Sequence, residues 1–171
     1  ITLIGLMTAI TCILAPLSIP LPFSPVPISL TNLVIFISVF ILGMKDATIS
    51  FLIYLLLGAV GLPVFASFHA GLSVLAGPTG GYLIGFIFLA LIQGFAMKYF
   101  DRKLIPTIIG MLIGMAVCYI FGTVWLAKLM SLSFKEGLFM GVIPYLPGDA
   151  VKIIIAVIVG PKLYAATKKV R

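Results

Sequence analysis

The sequence predicts an all-α integral membrane protein with six transmembrane helices, and two observations carry that prediction. Of its 171 residues, 63% are hydrophobic and only 9% are charged, against about 25% charged in an ordinary soluble domain. No Asp, Glu, Lys or Arg occurs within residues 1–44, 47–97 or 104–127. Because about 20 apolar residues cross a bilayer, the first two tracts each accommodate two crossings. A soluble globular protein, a disordered chain and a disulfide scaffold are therefore excluded.

Proline and glycine divide these tracts into six predicted spans within a single domain. Pro16 and Pro20 end the first span, and Lys45 and Asp46 are expected to form a short turn before the third. The backbone of residues 60–81 is too irregular for one straight helix and too apolar for a free loop. The domain is 1–171, with spans at about 1–18, 28–43, 47–59, 82–99, 104–129 and 149–167.

The basic residues predict that both termini are cytoplasmic. In that orientation eight basic residues lie inside, and only Lys128 and Lys135 lie in the outward breaks, a bias of the kind that sets topology. The eight are Lys45, Lys98, Arg102, Lys103, Lys162, Lys168, Lys169 and Arg171. Because the basic residues lie in short breaks and not on one face of a soluble fold, no nucleic-acid partner is expected. The lipid bilayer is the expected surrounding.

The three long breaks that are rich in Pro and Gly, extracellular loops 1, 3 and 5, all face outward in this topology. Uncharged irregular backbone near a membrane is tolerated only where it packs in protein or lines a cavity. We therefore expect these loops to cap a ligand pocket. The alternative is a set of ordinary extracellular loops, and the near absence of charge in the first two argues against it.

Asp149 and Lys152 are the residues that point most directly to a polar ligand. The segment PGDAVK is expected to place Asp149 at or beside the N-cap of the last helix and Lys152 one turn later on the same face. A capping Asp and a snorkelling Lys are the ordinary alternative. A cation near a helix N-terminus opposes the macrodipole, however, and ionisable groups inside a span are usually functional. We interpret the pair as the centre of a binding site.

Uncharged groups from the outward breaks complete the predicted pocket, which has the usual form of a small-molecule site, mostly apolar with a few convergent polar groups. They comprise a glycine-rich helix start, aromatic side chains of the loops, and polar side chains at the start of the second span. The residues are Gly77, Thr79 and Tyr82, then Phe65, Phe68 and Phe23, then Thr31 and Asn32. His69, the only histidine, is expected to be structural, with a ligand contact as the alternative.

No catalytic residue, metal ligand or cofactor is predicted. The sequence contains no H-E-x-x-H, no G-x-S-x-G and no Cys/His cluster, the patterns of zinc proteases, serine hydrolases and metal sites. The segment GPTGGY lacks the Lys-Ser/Thr pair of a phosphate-binding loop, so ATP hydrolysis by that route is excluded. If the protein transports a solute, its energy is expected to come from another protein.

Small residues recur four positions apart in two spans, a pattern that lets helix backbones approach closely. In the fifth span the pattern is expected to serve packing within the bundle. In the first span, which is expected at the edge of the bundle, it is open to a partner. The residues are Gly5 and Ala9 in the first span, and Gly110, Gly114, Cys118 and Gly122 in the fifth.

Three segments together resemble BioY, the biotin-specific S component of energy-coupling factor (ECF) transporters. They are IPLPFSPVPISL, GAVGLPVFASFHAGLSVLAGPTGGYLIGF and PGDAVKIIIA, and the resemblance covers essentially the whole chain. It implies six transmembrane helices, an outward biotin pocket roofed by loops, and functional importance of Asp149 and Lys152. The first helix of S components carries an Ala-x-x-x-Ala motif that meets the coupling protein, and Gly5 and Ala9 resemble it.

The resemblance implies a transport subunit and not an enzyme, multi-pass in the cell membrane of a prokaryote. Biotin would be its transported ligand, and its partners would be one transmembrane coupling (T) protein and two ABC ATPases that drive inward release. Asp149 is expected to accept from a ureido N–H, and Lys152 to donate to a ligand oxygen. The alternatives are an S component for thiamine or riboflavin, a stand-alone channel or facilitator, and a membrane-embedded enzyme acting on a lipid.

Overall fold

A computed structural model describes residues 1–168, and most of these lie in eight helices, so the predicted all-helical class is confirmed. The helices are α1 (Thr2–Leu14), α2 (Thr31–Leu42), α3 (Met44–Ala59), α4 (Leu72–Ala76), α5 (Gly80–Tyr99), α6 (Leu104–Met130), α7 (Phe134–Gly141) and α8 (Leu146–Lys168). Short 3₁₀ turns occur at Ala66–Phe68 and Ile143–Tyr145. Lys169 and Arg171, two of the basic residues that predict the orientation, lie outside the described residues.

Three helical stretches within residues 1–168 are long and apolar enough to cross a membrane. They are Gly80–Tyr99, Leu104–Met130 and the nearly continuous Phe134–Lys168, and α1 and α2 are shorter apolar helices. The outer face of α6 exposes large apolar side chains, among them Ile105, Leu112 and Ile113. An apolar face of this size would be unfavourable in water, and it suits a protein that is surrounded by lipid.

Five of the six predicted spans begin and end within three residues of an observed helix, whereas the first helix ends at Leu14 and not near residue 18. The expected turn at Lys45 and Asp46 is wrong. Gly43 alone connects α2 to α3, with a φ of +86° that favours glycine. Asp46 instead lies in the first turn of α3, where a carboxylate stabilises the positive end of the helix dipole.

The proline-rich break forms a β-hairpin that the sequence analysis did not predict. Strands β1 (Ser18–Leu21) and β2 (Ser24–Ser29) are antiparallel. Ser18 pairs with Ser29, and the register shifts between Ile19 and Leu21. A two-stranded hairpin tolerates proline because each strand has an outer edge on which no N–H is needed for pairing. The hairpin gives this loop a defined shape over the start of α2.

The core forms around α2, which packs against α1, α3, α5 and α8 and whose Phe36 and Val39 are completely buried. The small-residue stripe of α6 faces α5. A Cβ added at Gly110 would lie 2.6 Å from the Cβ of Ala96, and such contacts are too short for any residue but glycine. The stripe therefore serves packing within the bundle, as expected.

Candidate ligand-binding cavity

A cavity of about 470 Å³ lies among the helix ends beside the β-hairpin. Helices α2, α3, α5, α6 and α8 contribute its wall. The β-hairpin and residues 65–79 contribute the opposite side, and we call these two segments the cover. The volume falls within the range of small-molecule binding sites, roughly 300–1,000 Å³.

Asp149 and Lys152 lie together on the wall, with only 7% and 8% of their surface exposed. The Nζ of Lys152 lies 2.8 Å from Oδ1 of Asp149 and also donates to the carbonyl of Ser29 at 2.7 Å. Nδ2 of Asn32 donates to Oδ1 of Asp149 at 2.8 Å, and the hydroxyl of Tyr119 donates to Oδ2. These four side chains, Asn32, Tyr119, Asp149 and Lys152, form a wall network that joins α2, α6 and α8.

The wall network explains how two charges are held inside an apolar protein, because buried charges are tolerated when they are paired and hydrogen-bonded. The expected N-cap position of Asp149 is wrong. Since α8 begins at Leu146, the carboxylate lies inside the first turn and accepts from side chains instead. The carboxylate receives three donors, and a carboxylate has about four acceptor sites. The ammonium uses two of its three N–H groups. The carboxylate and the ammonium can therefore each form one further hydrogen bond to a ligand.

Two hydrogen-bonded contacts, which we call latches, help to hold the cover in place. In the serine latch, Oγ of Ser18 accepts from the backbone N–H of Ser67 at 2.8 Å and shares a hydrogen bond with its hydroxyl at 2.9 Å. In the tyrosine latch, the hydroxyl of Tyr145 lies 2.8 Å from Oγ of Ser24 and bonds to the carbonyl of Val26. Both segments of the cover thus lie over the helix ends and help to enclose the cavity.

Comparison with known proteins points to one family. Residues 1–169 match the BioY family. The "Probable biotin transporter BioY" of Pyrococcus horikoshii is 34% identical, over 98% of this chain and 97% of its own length. The "Biotin transporter BioY" of Thermotoga maritima is 35% identical, over 93% of this chain and 92% of its own. The chain belongs to the BioY family.

A solved structure of a biotin S component shares the fold of this BioY-family chain. It is the crystal structure of "the S-component for biotin from an ECF-type ABC transporter", with a TM-score of 0.88 and 32% sequence identity. The match covers 95% of this chain and 88% of that one. The family resemblance of the three sequence segments is thereby confirmed along nearly the whole chain.

Eight of the ten predicted contact residues of this BioY-family chain line the cavity. Phe23 and Phe68 are not among the lining residues, and their side chains are 58% and 63% exposed. Phe23 lies at the tip of the hairpin, and Phe68 has a φ of +59° in the turn that also brings His69 to the cavity. The eight are Thr31, Asn32, Phe65, Gly77, Thr79, Tyr82, Asp149 and Lys152.

The glycine-rich start of α5 is fixed by an aromatic side chain. Nε1 of Trp125 donates to the carbonyl of Gly77 at 2.9 Å, so this glycine contributes its carbonyl to the bundle. A Cβ at Gly81 would overlap the side chain of Trp125. The hydroxyl of Tyr82 lies against Gly141, buried and without a hydrogen-bond partner in residues 1–168. Tyr82 thus lines the cavity with its ring, while its hydroxyl is packed against Gly141.

Three tyrosines of the cavity were missed by the sequence analysis. Tyr119 belongs to the wall network, and Tyr145 belongs to the tyrosine latch. Tyr54 is fully buried on the cavity wall, and its hydroxyl has no partner within the described chain. Each is a tyrosine in an otherwise apolar stretch, and such a polar residue is a sequence signal for a candidate contact in the cavity. Sequence alone does not give the rotation of each helix, and so does not show which tyrosines face inward.

Proposed function

We propose that this protein is the biotin-binding S subunit of an ECF-type ABC importer, which captures biotin outside and delivers it inward when coupled to its partners. The observation that carries the proposal is the wall network inside an otherwise apolar cavity, in a chain whose BioY relatives are biotin transporters. Biotin is apolar in its thiophane half. Its ureido half carries two N–H donors and one carbonyl, and its tail ends in a carboxylate.

The ureido group suits the hydrogen-bonding positions that the wall network leaves unused. A ureido N–H would donate to the carboxylate of Asp149, and the remaining N–H of Lys152 would donate to a ligand oxygen. The thiophane half would lie against apolar side chains such as Phe86 and Met115, which line the same cavity. This arrangement follows the general form of a small-molecule site, in which a few polar groups orient a largely apolar ligand.

The proposed topology has six transmembrane helices, both termini in the cytoplasm, and loops 1, 3 and 5 outside, in the cell membrane of a prokaryote. Support comes from what lies at the two ends of α2. Thr31 at its start lines the ligand cavity, whereas Gly43 after its end lines a hollow with Lys45, Lys98 and Arg102. The cavity and the basic connections thus lie at opposite ends of α2, which supports an outward-facing cavity if the basic connections are cytoplasmic.

A function as a stand-alone channel is less favoured. Between the two ends of α2, Val34 to Phe36 and Ser38 to Leu42 are all buried, and Leu89 and Met111 of the neighbouring helices are completely buried. Close-packed side chains therefore fill the layer between the cavity and the basic hollow. A membrane enzyme is also disfavoured, because the BioY relatives are named as biotin transporters.

Calorimetric titration of the detergent-purified protein with biotin, thiamine and riboflavin tests the ligand. We expect saturable binding of biotin and no measurable heat from the other two vitamins. Tighter binding of thiamine or riboflavin would assign the protein to another vitamin. Absence of binding by all three would contradict the proposal.

The proposed partners are a T protein and two ABC ATPases, which would supply the ATP hydrolysis, and the proposed docking face is on α1. Gly5 and Ala9 are exposed there, and a Cβ at Gly5 would meet nothing within 4 Å. We expect Ala9→Trp to abolish co-purification with the partners and to leave biotin binding intact. Ile113→Trp, on the exposed face of α6, is the matched control. Normal assembly of Ala9→Trp would contradict the docking assignment.

A further inference from the structure

We propose that His69 is the cationic group that binds the carboxylate tail of biotin, so that protonation of its imidazole tightens binding of the ligand. This inference rests on the proposed function, since it concerns the tail of the ligand named there. It assigns the tail to the cover of the cavity, and the ureido ring to the wall.

The charged groups of the cavity leave the tail without a counter-ion. Asp149 and Lys152 are the only Asp, Glu, Lys or Arg side chains among the lining residues of the described chain, and together they are neutral. Lys152 already donates to Asp149 and to the carbonyl of Ser29. The carboxylate of biotin lies at the far end of the molecule from the ureido ring. A ligand held at the wall by its ring therefore presents its tail to other residues.

His69 is held on the cover by its backbone. The N–H of Phe65 donates to the carbonyl of His69 at 3.1 Å, and the N–H of His69 donates to the carbonyl of Ala66 at 3.3 Å. The ring of Phe65 is 1% exposed and meets the ring of Tyr54 edge-on, with centroids 5.6 Å apart. The turn that carries the imidazole is therefore anchored to the buried core, although His69 itself is exposed and lines the cavity.

The hydrogen bonds of the imidazole set the role of each nitrogen. Nδ1 lies 2.9 Å from the carbonyl oxygen of Ala66. Because a carbonyl can only accept, Nδ1 carries the hydrogen in this contact. Nε2 is then a lone-pair acceptor when the ring is neutral, and it becomes an N–H donor when the ring is protonated. Only the protonated ring attracts a carboxylate through Nε2.

The titratable groups around His69 ordinarily keep one charge near neutral pH. Strands β1 and β2 pack against the turn 66–68, and neither strand contains a titratable side chain. Across the cavity lie the other titratable groups: Tyr54, Tyr82, Cys118, Tyr119, Tyr145, Asp149 and Lys152. None of these residue types ordinarily changes charge between about pH 5.5 and 7.5. The exposed position limits the expected gain in affinity to about two- to fivefold.

The test compares biotin with biotinamide, whose tail is uncharged, by calorimetry at about pH 5.5 and 7.5, on either side of the ordinary histidine titration. For the unmodified protein we expect biotin to bind about two- to fivefold more tightly at the lower pH, and biotinamide to bind equally at both. Any titration of the wall network would affect both ligands alike. His69→Gln should remove the pH difference for biotin and leave biotinamide affinity unchanged, whereas the control Ser73→Ala should retain the difference.

A second variant guards against a folding defect. His69→Arg carries a permanent charge, so biotin should bind tightly at both pH values. The inference is overturned if biotin and biotinamide share one pH profile, or if either His69 variant keeps the pH difference for biotin. In those cases biotin still binds, and the proposed function stands. If neither ligand binds the unmodified protein at either pH, the proposed function and this inference fail together.

Discussion

The wall and the cover of the cavity are built in different ways. The wall network is carried by three helices, and its two charged members are less than a tenth exposed. The cover consists of a two-stranded hairpin and a short irregular segment, held by the serine and tyrosine latches. Ser67 and Phe68 in the cover have φ values of +57° and +59°, a backbone conformation that non-glycine residues rarely adopt.

This difference separates two functions of the site. Buried helix-borne groups hold one geometry before the ligand arrives, which favours affinity and selectivity. The latches can break without disturbing the helices, because each such hydrogen bond contributes only about 0.5–1.5 kcal/mol. We therefore expect substitutions in the wall to change the equilibrium affinity for biotin, and substitutions in the latches to change mainly the rate of exchange.

The largest effect is expected for Asp149→Asn in the wall. The change removes the charge that pairs with Lys152. It also replaces a carboxylate, which only accepts hydrogen bonds and can accept from a ureido N–H, by an amide that has one acceptor and one donor group. Loss of one buried hydrogen-bond partner costs about 1–3 kcal/mol, and more for a charged group. Because each 1.4 kcal/mol is a factor of ten in affinity, biotin should bind about tenfold more weakly or worse. Calorimetry measures this effect, and unchanged affinity would remove Asp149 from the site.

A double variant separates binding from stability in the same network. Asp149→Asn leaves the ammonium of Lys152 buried without its counter-ion, and breaking a buried ion pair costs about 3–5 kcal/mol. Adding Lys152→Met removes this unpaired buried charge. The double variant should therefore melt at a higher temperature than Asp149→Asn alone, and it should still bind biotin weakly. Recovery of tight binding in the double variant would show that the pair serves only stability.

An intermediate effect is expected for Tyr145→Phe in the tyrosine latch. The ring remains, and only the hydroxyl that contacts Ser24 and Val26 is lost. The dissociation rate of biotin should rise about three- to tenfold, the equivalent of about one neutral hydrogen bond, with a smaller change in association rate. Stopped-flow or surface-capture kinetics would measure both rates. Tyr99→Phe, at an exposed tyrosine of α5, should change neither, and an unchanged dissociation rate in Tyr145→Phe would contradict the latch.

The smallest effects are expected in the serine latch, which is exposed to solvent. Ser18→Ala removes the acceptor of both latch contacts, whereas Ser67→Ala removes only the hydroxyl pair. We expect the dissociation rate to rise by about twofold in Ser18→Ala and by less in Ser67→Ala. The same kinetic assay ranks them. A larger effect in Ser67→Ala than in Ser18→Ala would contradict the geometry of the latch.

The sequence is informative about the wall wherever charge or composition carries the signal. Asp149 and Lys152 are visible because ionisable residues inside an apolar stretch are costly, and the glycine stripe of α6 is visible because small residues mark close helix contacts. The inward-facing tyrosines of the wall are harder to find. Tyr119 and Tyr54 face inward only because of how each helix is rotated, and that rotation depends on tertiary packing that a single weakly amphipathic sequence does not specify.

The cover is less predictable than the wall for a physical reason. Four prolines between residues 20 and 27 argue against a strand by ordinary propensity, and the hairpin forms because both of its edges lie outside any larger sheet. The exposed positions of Phe23 and Phe68 have a similar origin. Aromatic side chains in an apolar loop suggest a pocket wall, but the hairpin tip and the left-handed turn direct these two outward.

A structure of the protein determined with biotin bound would show whether the wall network holds the ligand. We expect ligand density in the cavity of about 470 Å³, with the ureido ring within hydrogen-bond distance of Asp149 or Lys152 and the latches closed over it. Density for biotin elsewhere, for example in the basic hollow beside Arg102, or a ligand in the cavity that contacts neither Asp149 nor Lys152, would contradict it.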